Sequence, residues 1–255
     1  MNGRAAERTV AIVLAAGQGK RMKSSIQKQF MLLQEKPLIY YALAELEKSM
    51  VDHIILVTSE DEIQYCKERI AAPFHFSKIR RIVAGGKERY HSVYEGLKAA
   101  EELEGAKGEH SIVLIHDGAR PFITENMIQT AIEAARQFRA CAVGMPVKDT
   151  IKMADENGFV KETPERSMLW QMQTPQAFDY SLIRRAYEKL LSNPEHQKGI
   201  TDDAMVVEAM TDARVKLILG DYRNIKVTTP EDMVLAEVFL KEGRGKWEEE
   251  KKGDC

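Results

Sequence analysis

Short apolar runs alternate with longer amphipathic segments along most of the chain. Six of the runs are rich in Val, Ile and Leu, as buried strands are: 9–15, 53–58, 79–84, 111–116, 140–147 and 214–219. Between them, apolar residues recur at helical spacing in these segments: 37–48, 60–71, 91–104, 124–138, 179–192, 201–210 and 230–242. Ser59, Thr124 and Thr229 are candidate helix caps, and Pro230 suits a first helical turn. The alternation predicts an α/β fold, with helices on both faces of a mostly parallel sheet and ligands beyond the carboxyl ends of the strands.

One stretch, 147–175, departs from this alternation. In it, two runs of alternating polar and apolar residues flank Asn157-Gly158, a dipeptide favoured in two-residue hairpin turns. This pattern predicts a protruding β-hairpin arm. A two-stranded hairpin is marginal in water unless it packs on something, so the arm is expected to contact a partner. Residues 1–242 are interpreted as one domain, and the charged segment 243–255 is predicted to be disordered.

Composition narrows the classes of partner. The chain has 255 residues, and its 37 Lys and Arg nearly balance 39 Asp and Glu, so no overall positive field draws it to nucleic acid or to an anionic membrane. The three cysteines lack the spacing of a zinc site or a disulfide framework. Residues 1–8 contain no apolar leader, and no apolar run approaches the roughly 20 residues that span a bilayer. These features predict a cytoplasmic protein.

A loop rich in small residues follows the first apolar run. Its candidates for close backbone approach to an anion are Ala15, Ala16, Gly17 and Gly19. Lys20, Arg21 and Lys28 add positive charge, so a triphosphate is the expected guest. The spacing does not fit a Walker A loop, and Met22 stands where the dinucleotide fingerprint needs a third glycine. A plain glycine turn is the alternative interpretation.

A second glycine motif follows the third run, in the segment AGGKERYHSV at 84–93. Gly86 would let the main chain lie against a flat base, and Ser92 could reach a phosphate or base group. A glycine turn followed by a helix-capping serine is the alternative.

The segment HDGARP, at 116–121, follows the fourth run. It places Asp117 three residues before Arg120, which puts a metal- or hydroxyl-binding group beside a phosphate-binding fork. His116 is interpreted as structural because no second histidine stands at a metal-ligand spacing. Asp202-Asp203 is interpreted as a charged helix N-terminus in preference to a metal site.

Together these motifs resemble a family of enzymes. LAAGQGKRM with Lys28 resembles the L-x-A-G-x-G-x-R-M…P-K signature of sugar-phosphate nucleotidyltransferases, with Gln27 in place of the usual proline. The 84–93 segment resembles that of isoprenoid-pathway cytidylyltransferases, and H-D-x-A-R-P resembles the diagnostic segment of 2-C-methyl-D-erythritol 4-phosphate cytidylyltransferases. The resemblance spans roughly 9–240 and implies the Rossmann-like nucleotide-diphospho-sugar transferase fold. It also implies transfer of CMP from CTP to 2-C-methyl-D-erythritol 4-phosphate, with release of pyrophosphate.

The resemblance further implies roles for individual residues. The implied catalytic residues are Arg21, Lys28 and Lys226. The implied CTP-binding residues are Ala15, Ala16, Gly17, Gly19, Gly86, Ser92 and Asp117. The implied acceptor-binding residues are Asp117, Arg120, Thr150, Arg166, Thr174, Thr201 and Lys226. Mg²⁺ would be held mainly by the triphosphate, near Asp117, and the 147–175 arm would cross to a second subunit of a homodimer, where Thr150 and Arg166 complete the partner's site.

Other functions remain open at the level of sequence. Ribitol 5-phosphate is an alternative acceptor, since cytidylyltransferases for other polyol phosphates share these motifs. A non-catalytic nucleotide-binding module would keep the glycine loops, but it would not need the charged residues Arg21, Lys28, Asp117, Arg120 and Lys226 together. A dinucleotide oxidoreductase is disfavoured because no acidic residue ends the second run.

Overall fold

The computed structural model describes residues 8–17, 27–103 and 111–253, with the backbone alone from 243 onward. Within these ranges the strands are β1 Thr9–Leu14, β2 Leu32–Leu33, β3 Lys36–Pro37, β4 His53–Thr58, β5 Ile79–Ala84, β6 Ile112–Asp117, β7 Ala140–Pro146, β8 Met153–Ala154, β9 Val160–Glu162, β10 Trp170–Asp179 and β11 Lys216–Leu219. The α-helices are α1 Leu38–Lys48, α2 Ile63–Tyr65, α3 Arg89–Glu101, α4 Glu125–Phe138, α5 Tyr180–Leu191, α6 Asp203–Met210 and α7 Pro230–Gly253. A 3₁₀ turn, Glu60–Glu62, precedes α2, and a π-helical turn, Cys66–Ala71, follows it.

Seven of these strands form one sheet in the order β11-β7-β10-β6-β1-β4-β5. All neighbours are parallel except β10, which runs antiparallel to both β6 and β7. The carboxyl ends of the parallel strands therefore meet the amino end of β10 at one edge of the sheet. Ligands of open α/β sheets bind at this edge, as the alternation predicts.

The core fills both faces of this sheet. Along β1, Ala11 and Val13 pack into one apolar cluster with α1 and α4, whereas Val10 and Ile12 pack into another with α3, α5 and α6. This opposite facing follows from the two-residue period of a strand. Burial of each large aliphatic side chain stabilises the fold by about 1.5–3 kcal/mol, so a central strand apolar on both faces fixes the sheet that carries the site.

The six predicted strands are confirmed as β1, β4, β5, β6, β7 and β11. The prediction for 147–175 is wrong at its carboxyl end, because Trp170–Asp179 forms the central strand β10 and not part of an arm. Pro175 cannot donate to a ladder, and such a residue argues against a central strand. The sheet accommodates Pro175 through a register shift between Met172 and Gln176. The hairpin that does form is short and pairs β8 with β9.

The predicted helices are present, and the last one is longer than predicted. Helix α7 continues to Gly253, so it includes most of the segment 243–255 that was predicted to be disordered. That segment is rich in Glu and Lys, which have high helix propensity, and this accounts for the continuation. In the described part of the chain, no helix combines the length and apolar character needed to cross a membrane.

Candidate active site

A cavity of about 250 Å³ opens where the carboxyl end of β6 meets the amino end of β10. Its lining is mostly polar and charged: Arg89, Asp117, Arg120, Met172, Gln173, Thr174, Gln176, Thr201, Asp202 and Lys226. A larger cavity of about 580 Å³ lies beside the edge strand β5, but none of the predicted site residues lines it. The smaller cavity is therefore the candidate active site.

Asp117 is the electrostatic centre of this cavity. Its Oδ2 lies 2.7 Å from Lys226 Nζ, and its Oδ1 accepts a hydrogen bond of 3.3 Å from Arg89 Nε. Burial alone would raise the pKa of Asp117, but the positive charges of Arg89, Lys226 and Arg120 outweigh it and hold the pKa well below its usual range. The carboxylate is therefore ionised at neutral pH and pairs with two cations at the cavity wall.

His116 lies behind Asp117 in a chain of hydrogen bonds. The Asp117 amide donates to Thr174 Oγ1 at 3.1 Å, and the threonine hydroxyl donates to His116 Nδ1 at 3.0 Å, because Nδ1 carries no proton in a neutral ring whose Nε2 is the donor. His116 Nε2 then donates to the Arg120 carbonyl at 3.1 Å. Burial lowers the pKa of His116 to about 4, so the imidazole is neutral and its tautomer is set by these partners. The geometry agrees with a structural histidine.

Arg120 is held by main-chain acceptors. Its Nη1 donates to the Asn224 carbonyl at 2.8 Å, and its Nη2 donates to the Met172 carbonyl at 3.3 Å. Burial lowers the pKa of Arg120 from its ordinary value, although Asp117 opposes this effect. Its Nε is buried and has no hydrogen-bond partner among the described residues. Arg120 is thus a fixed cation with capacity for an added anion.

Arg89 is a site residue that the sequence-based assignment missed. Its Nη1 and Nη2 donate to the two carboxylate oxygens of Asp203, at 2.9 and 2.7 Å, while its Nε faces Asp117. Arg89 was visible in the 84–93 motif, but its pairing with Asp203 joins residues far apart in sequence.

Gln176 is a second residue of the cavity lining that the sequence-based assignment missed. Its side chain donates to Asp202 and accepts from the Ala204 amide, both at 2.8 Å. These two hydrogen bonds attach α6 to the sheet.

The two glycine loops lie beside the cavity at the ends of β1 and β5. Gln29 is buried and its side-chain amide donates to the carbonyl of Ala15, which fixes the start of the first loop. In the second loop, a Cβ on Gly85 would lie 2.6 Å from Ser92 Oγ and 2.8 Å from Ala16 Cβ, so only glycine allows this approach. Ser92 is buried, and its hydroxyl accepts from the Gly86 amide at 3.1 Å. Ser92 therefore braces the loop in this structure.

The structure brings together five of the predicted site residues: Asp117, Arg120, Thr174, Thr201 and Lys226. Ala15, Ala16, Gly17, Gly86 and Ser92 lie in the adjoining loops, and Lys28 begins a short helical turn after the first loop. Thr150 and Arg166 are exposed on the arm and do not line this cavity. The predicted residues Gly19 and Arg21 lie outside the described residues. The interpretation of Asp202 as a helix cap is confirmed, since its carboxylate accepts from the Met205 amide at 2.9 Å.

The donor set for a metal ion is sparse in this part of the chain. Over the described ranges, no three His, Cys, Asp or Glu side chains are grouped as a metal site would require. Asp117 is an ionised carboxylate at the cavity wall, but both of its oxygens already face cations. Any divalent ion at this cavity would therefore need most of its ligands from a bound molecule.

Comparison with known proteins agrees with the site's composition. Residues 9–242 match the family model described as 2-C-methyl-D-erythritol 4-phosphate cytidylyltransferase. The chain is similar to proteins of that name from Lachnoclostridium phytofermentans, with 48% identity over 92% of this chain and 97% of the other, and from Geobacter metallireducens, with 49% identity over 91% and 97%. It also resembles the crystal structure of 4-diphosphocytidyl-2C-methyl-D-erythritol synthase from Anaerococcus prevotii, with a TM-score of 0.77, 32% identity and coverage of 92% and 96%. The chain therefore belongs to the 2-C-methyl-D-erythritol 4-phosphate cytidylyltransferase family.

Proposed function

We propose that this chain transfers CMP from CTP to 2-C-methyl-D-erythritol 4-phosphate, giving 4-diphosphocytidyl-2-C-methyl-D-erythritol and pyrophosphate in isoprenoid precursor synthesis. One observation carries the proposal: Asp117, Arg120 and Lys226 converge on one cavity at the carboxyl edge of the sheet. In a chain of this family, that convergence supports joint binding of a nucleoside triphosphate and a second phosphate.

The reaction brings two anions together. A phosphate oxygen of the acceptor attacks the α-phosphorus of CTP, a new P–O bond forms, and the bond to pyrophosphate breaks. The principal barrier is repulsion between the reactants, so fixed cations contribute by positioning and by neutralising charge. Arg120 would hold the acceptor phosphate, and Lys226 would lie between the two substrates, with Lys28 and Arg21 on the triphosphate.

The attacking phosphate needs no general base in this scheme. A phosphate monoester is largely dianionic at pH 7, because its second pKa is about 6. The neutral, fully hydrogen-bonded His116 accordingly has no proton to remove. Thr174 and Thr201 would contact the hydroxyl groups of the polyol, with Thr201 exposed at the cavity wall.

Mg²⁺ is proposed as the required divalent ion. The triphosphate oxygens would supply most of its ligands, with Asp117 as the nearest carboxylate. When bound, the ion supplies neutralisation of charge on the phosphates. Removal of divalent ions with EDTA should then abolish pyrophosphate release.

A homodimer joined through the arm is also proposed. The segment around the hairpin exposes large apolar side chains to an extent unusual for a free surface: Ile151, Met153, Phe159, Val160 and Met168 are 41–75% exposed. Thr150 and Arg166 lie on this arm, away from the cavity of their own chain. Packing of the arm on a second copy would bury the apolar groups and bring the two polar residues to the partner's site.

A cytoplasmic location is proposed as well. The free, buried thiols of Cys66 and Cys141 support a reducing compartment such as the cytoplasm.

The test is a pyrophosphate-release assay with CTP, Mg²⁺ and a panel of polyol phosphates. We expect turnover with 2-C-methyl-D-erythritol 4-phosphate and CTP, and little with ATP, GTP or UTP. Product from ribitol 5-phosphate alone would replace the acceptor but keep the enzyme class. Tight CTP binding with no turnover on any acceptor would favour the non-catalytic module.

A further inference from the structure

Helices α3, α5 and α6 contain none of the predicted catalytic residues, and side chains from all three meet at Arg89. Asp203, the first residue of α6, is fully buried and pairs with both terminal nitrogens of Arg89. Tyr187, on α5, is also fully buried, and its hydroxyl donates to Asp203 Oδ1 at 2.5 Å. Arg89, the first residue of α3, carries this network to the cavity wall, where its Nε reaches Asp117.

We infer that Asp203 and Tyr187 are positioning residues for the reaction, because they fix the Arg89 guanidinium against Asp117. This inference rests on the proposed function and extends it to residues that do not line the cavity. The bidentate pair leaves Arg89 no rotational freedom, since a planar guanidinium bound at both terminal nitrogens presents its Nε in one direction. Asp117 in turn holds Lys226, so the position of that ammonium depends on the buried pair.

Stability alone does not account for this arrangement. A buried ion pair gains little over apolar residues of similar volume, because removing both charges from water is costly. Here Asp203 is fully buried and its partner Tyr187 belongs to the apolar cluster of α3, α5 and α6, so an apolar residue could pack at position 203, whereas the Arg89 side chain is 27% exposed at the cavity. The Tyr187 hydroxyl donates to the same carboxylate, which satisfies both groups, so two buried polar side chains are kept where apolar packing would serve stability, and this points to a task for the carboxylate. The task available on this face of the sheet is to orient Arg89.

A different role for Arg89 would leave its geometry unexplained. As a substrate-binding arginine, it would present its terminal nitrogens to the cavity, as a fork for phosphate. In this structure those nitrogens point away, into the protein, and only the Nε edge faces Asp117. Arg89 thus bridges two carboxylates, the buried Asp203 and Asp117 at the cavity.

The experiment compares Asp203→Asn, Asp203→Glu and Tyr187→Phe in the full-length protein. Asp179→Asn is the matched control, because Asp179 also begins a helix and pairs with an arginine, Arg139, but lies at the opposite edge of the sheet. Thermal unfolding is measured for all variants, and steady-state kinetics are measured well below the lowest Tm.

We expect Asp203→Asn to lower kcat by about 10- to 100-fold, the scale of a displacement of about 1 Å in a reacting group. The KM for CTP should stay within roughly threefold, since Asp203 does not reach the cavity. Asp203→Glu, which keeps the carboxylate, should recover most of the lost kcat, and Tyr187→Phe should lose less than Asp203→Asn. Asp179→Asn should lower Tm without lowering kcat.

Wild-type kcat in Asp203→Asn would overturn the inference, and so would an equal loss of kcat in Asp179→Asn. Crystal structures of the wild type and Asp203→Asn add a readout that does not depend on turnover. Unmoved Arg89 and Lys226 side chains in Asp203→Asn would also overturn the inference. If the proposed function fails, the wild-type protein itself will lack activity, yet the two crystal structures still report whether Asp203 positions Arg89.

Discussion

The cavity at the carboxyl edge of the sheet and the 147–169 arm are both rich in charged and hydroxyl side chains, yet they are built in opposite ways. At the cavity, the charged groups are fixed by contacts within the chain: Asp117 pairs with Lys226 and Arg89, Arg89 pairs with Asp203, and main-chain carbonyls hold Arg120. On the arm, Arg166 is exposed and donates to the carbonyl of Lys148 at 3.0 Å. The difference teaches that the protomer alone positions the charged groups of the cavity, whereas the arm leaves its polar side chains exposed, where the proposed second copy would fix them.

The largest expected effect tests the fixed region. Lys226→Ala should lower kcat by about 100- to 1000-fold, because it removes a preorganised cation from between two anionic substrates. Initial rates of pyrophosphate release measure the loss. Lys98→Ala, at an exposed lysine that pairs with Glu95, is the control and should retain wild-type rates. Equal rates in Lys226→Ala and wild type would remove this cavity from the mechanism.

The second prediction concerns pH and the same region. The pKa of His116 falls from 6.5 to about 4 on burial, so the unfolded chain binds more protons than the folded one between these pH values. The stability from neutral His116 is therefore complete above pH 6.5 and is lost as pH falls toward 4, by about 3 kcal/mol in total. Urea unfolding at pH 7, 5.5 and 4.5 measures this slope.

His116→Asn removes the titrating group and should flatten the slope over this range. Asp117, whose pKa is held low by its cationic neighbours, adds its own loss of stability only below the ordinary carboxyl range. The same slope in the variant and in wild type would mean that His116 is not buried in its neutral form.

The third prediction moves to the arm. Arg166→Ala should raise the KM for the acceptor by roughly 10- to 100-fold, the worth of a hydrogen bond to a charged group, with a smaller change in the KM for CTP. Steady-state kinetics with each substrate varied in turn make the comparison. A rise confined to CTP would show that the arm serves the nucleotide and not the acceptor.

Mixing two impaired variants, assayed at an acceptor concentration below the wild-type KM, separates contributions from the two subunits. If arms are exchanged, an Arg166→Ala chain paired with a Lys226→Ala chain has one intact site, which combines its own Lys226 with the partner's Arg166. A randomly mixed dimer population should then recover about a quarter of wild-type activity, by the symmetry of the interface. No recovery, with dimers present by sedimentation, would contradict arm exchange.

The smallest expected effect is at the tip of the hairpin. Gly158 has φ +84° and open space around it, so Gly158→Ala strains only the local backbone. It should lower the free energy of unfolding by no more than about 1 kcal/mol, with faster amide exchange confined to 153–162. Gly85→Ala, where a Cβ would meet Ser92 and Ala16, should cost more and disturb the site. Equal costs would mean that the arm is held as firmly as the cavity.

The hydrophobic pattern and the capping residues predicted the strands and helix starts that depend on nearby residues. The inner parallel strands β1, β4, β6 and β7 are buried along nearly their whole length, Thr124 does cap α4, and α6 does begin at Asp202-Asp203. Strand β10 escaped because the alternation of its first half resembles an exposed hairpin and Pro175 interrupts its second half. What makes it central is pairing with β7, at separations of 24–38 residues, and with β6, at separations of 61–67 residues. Long-range pairing leaves little trace in a single segment.

In the candidate active site, too, local motifs were predictable and long-range contacts were not. Asp117 and Arg120 stand in one short motif at a strand end, so sequence alone placed them together. The Arg89–Asp203 pair joins residues 114 positions apart, and nothing in the Thr-Asp-Asp run distinguishes a buried carboxylate from a solvated helix start. Only the packing of α3 against α5 and α6 decides which of the two aspartates turns inward.

The place where the arm joins the sheet has a consequence for protein engineering. Val147 donates to the carbonyl of Leu169, and Pro146 pairs with Trp170, so the two strands that carry the arm are clamped together at its base. Tyr222 adds a hydrogen bond to the Pro146 carbonyl at 2.8 Å. We expect that the polypeptide beyond this clamp can be shortened, or replaced by a tight turn or by the arm of a relative, while the register of the central strand stays the same.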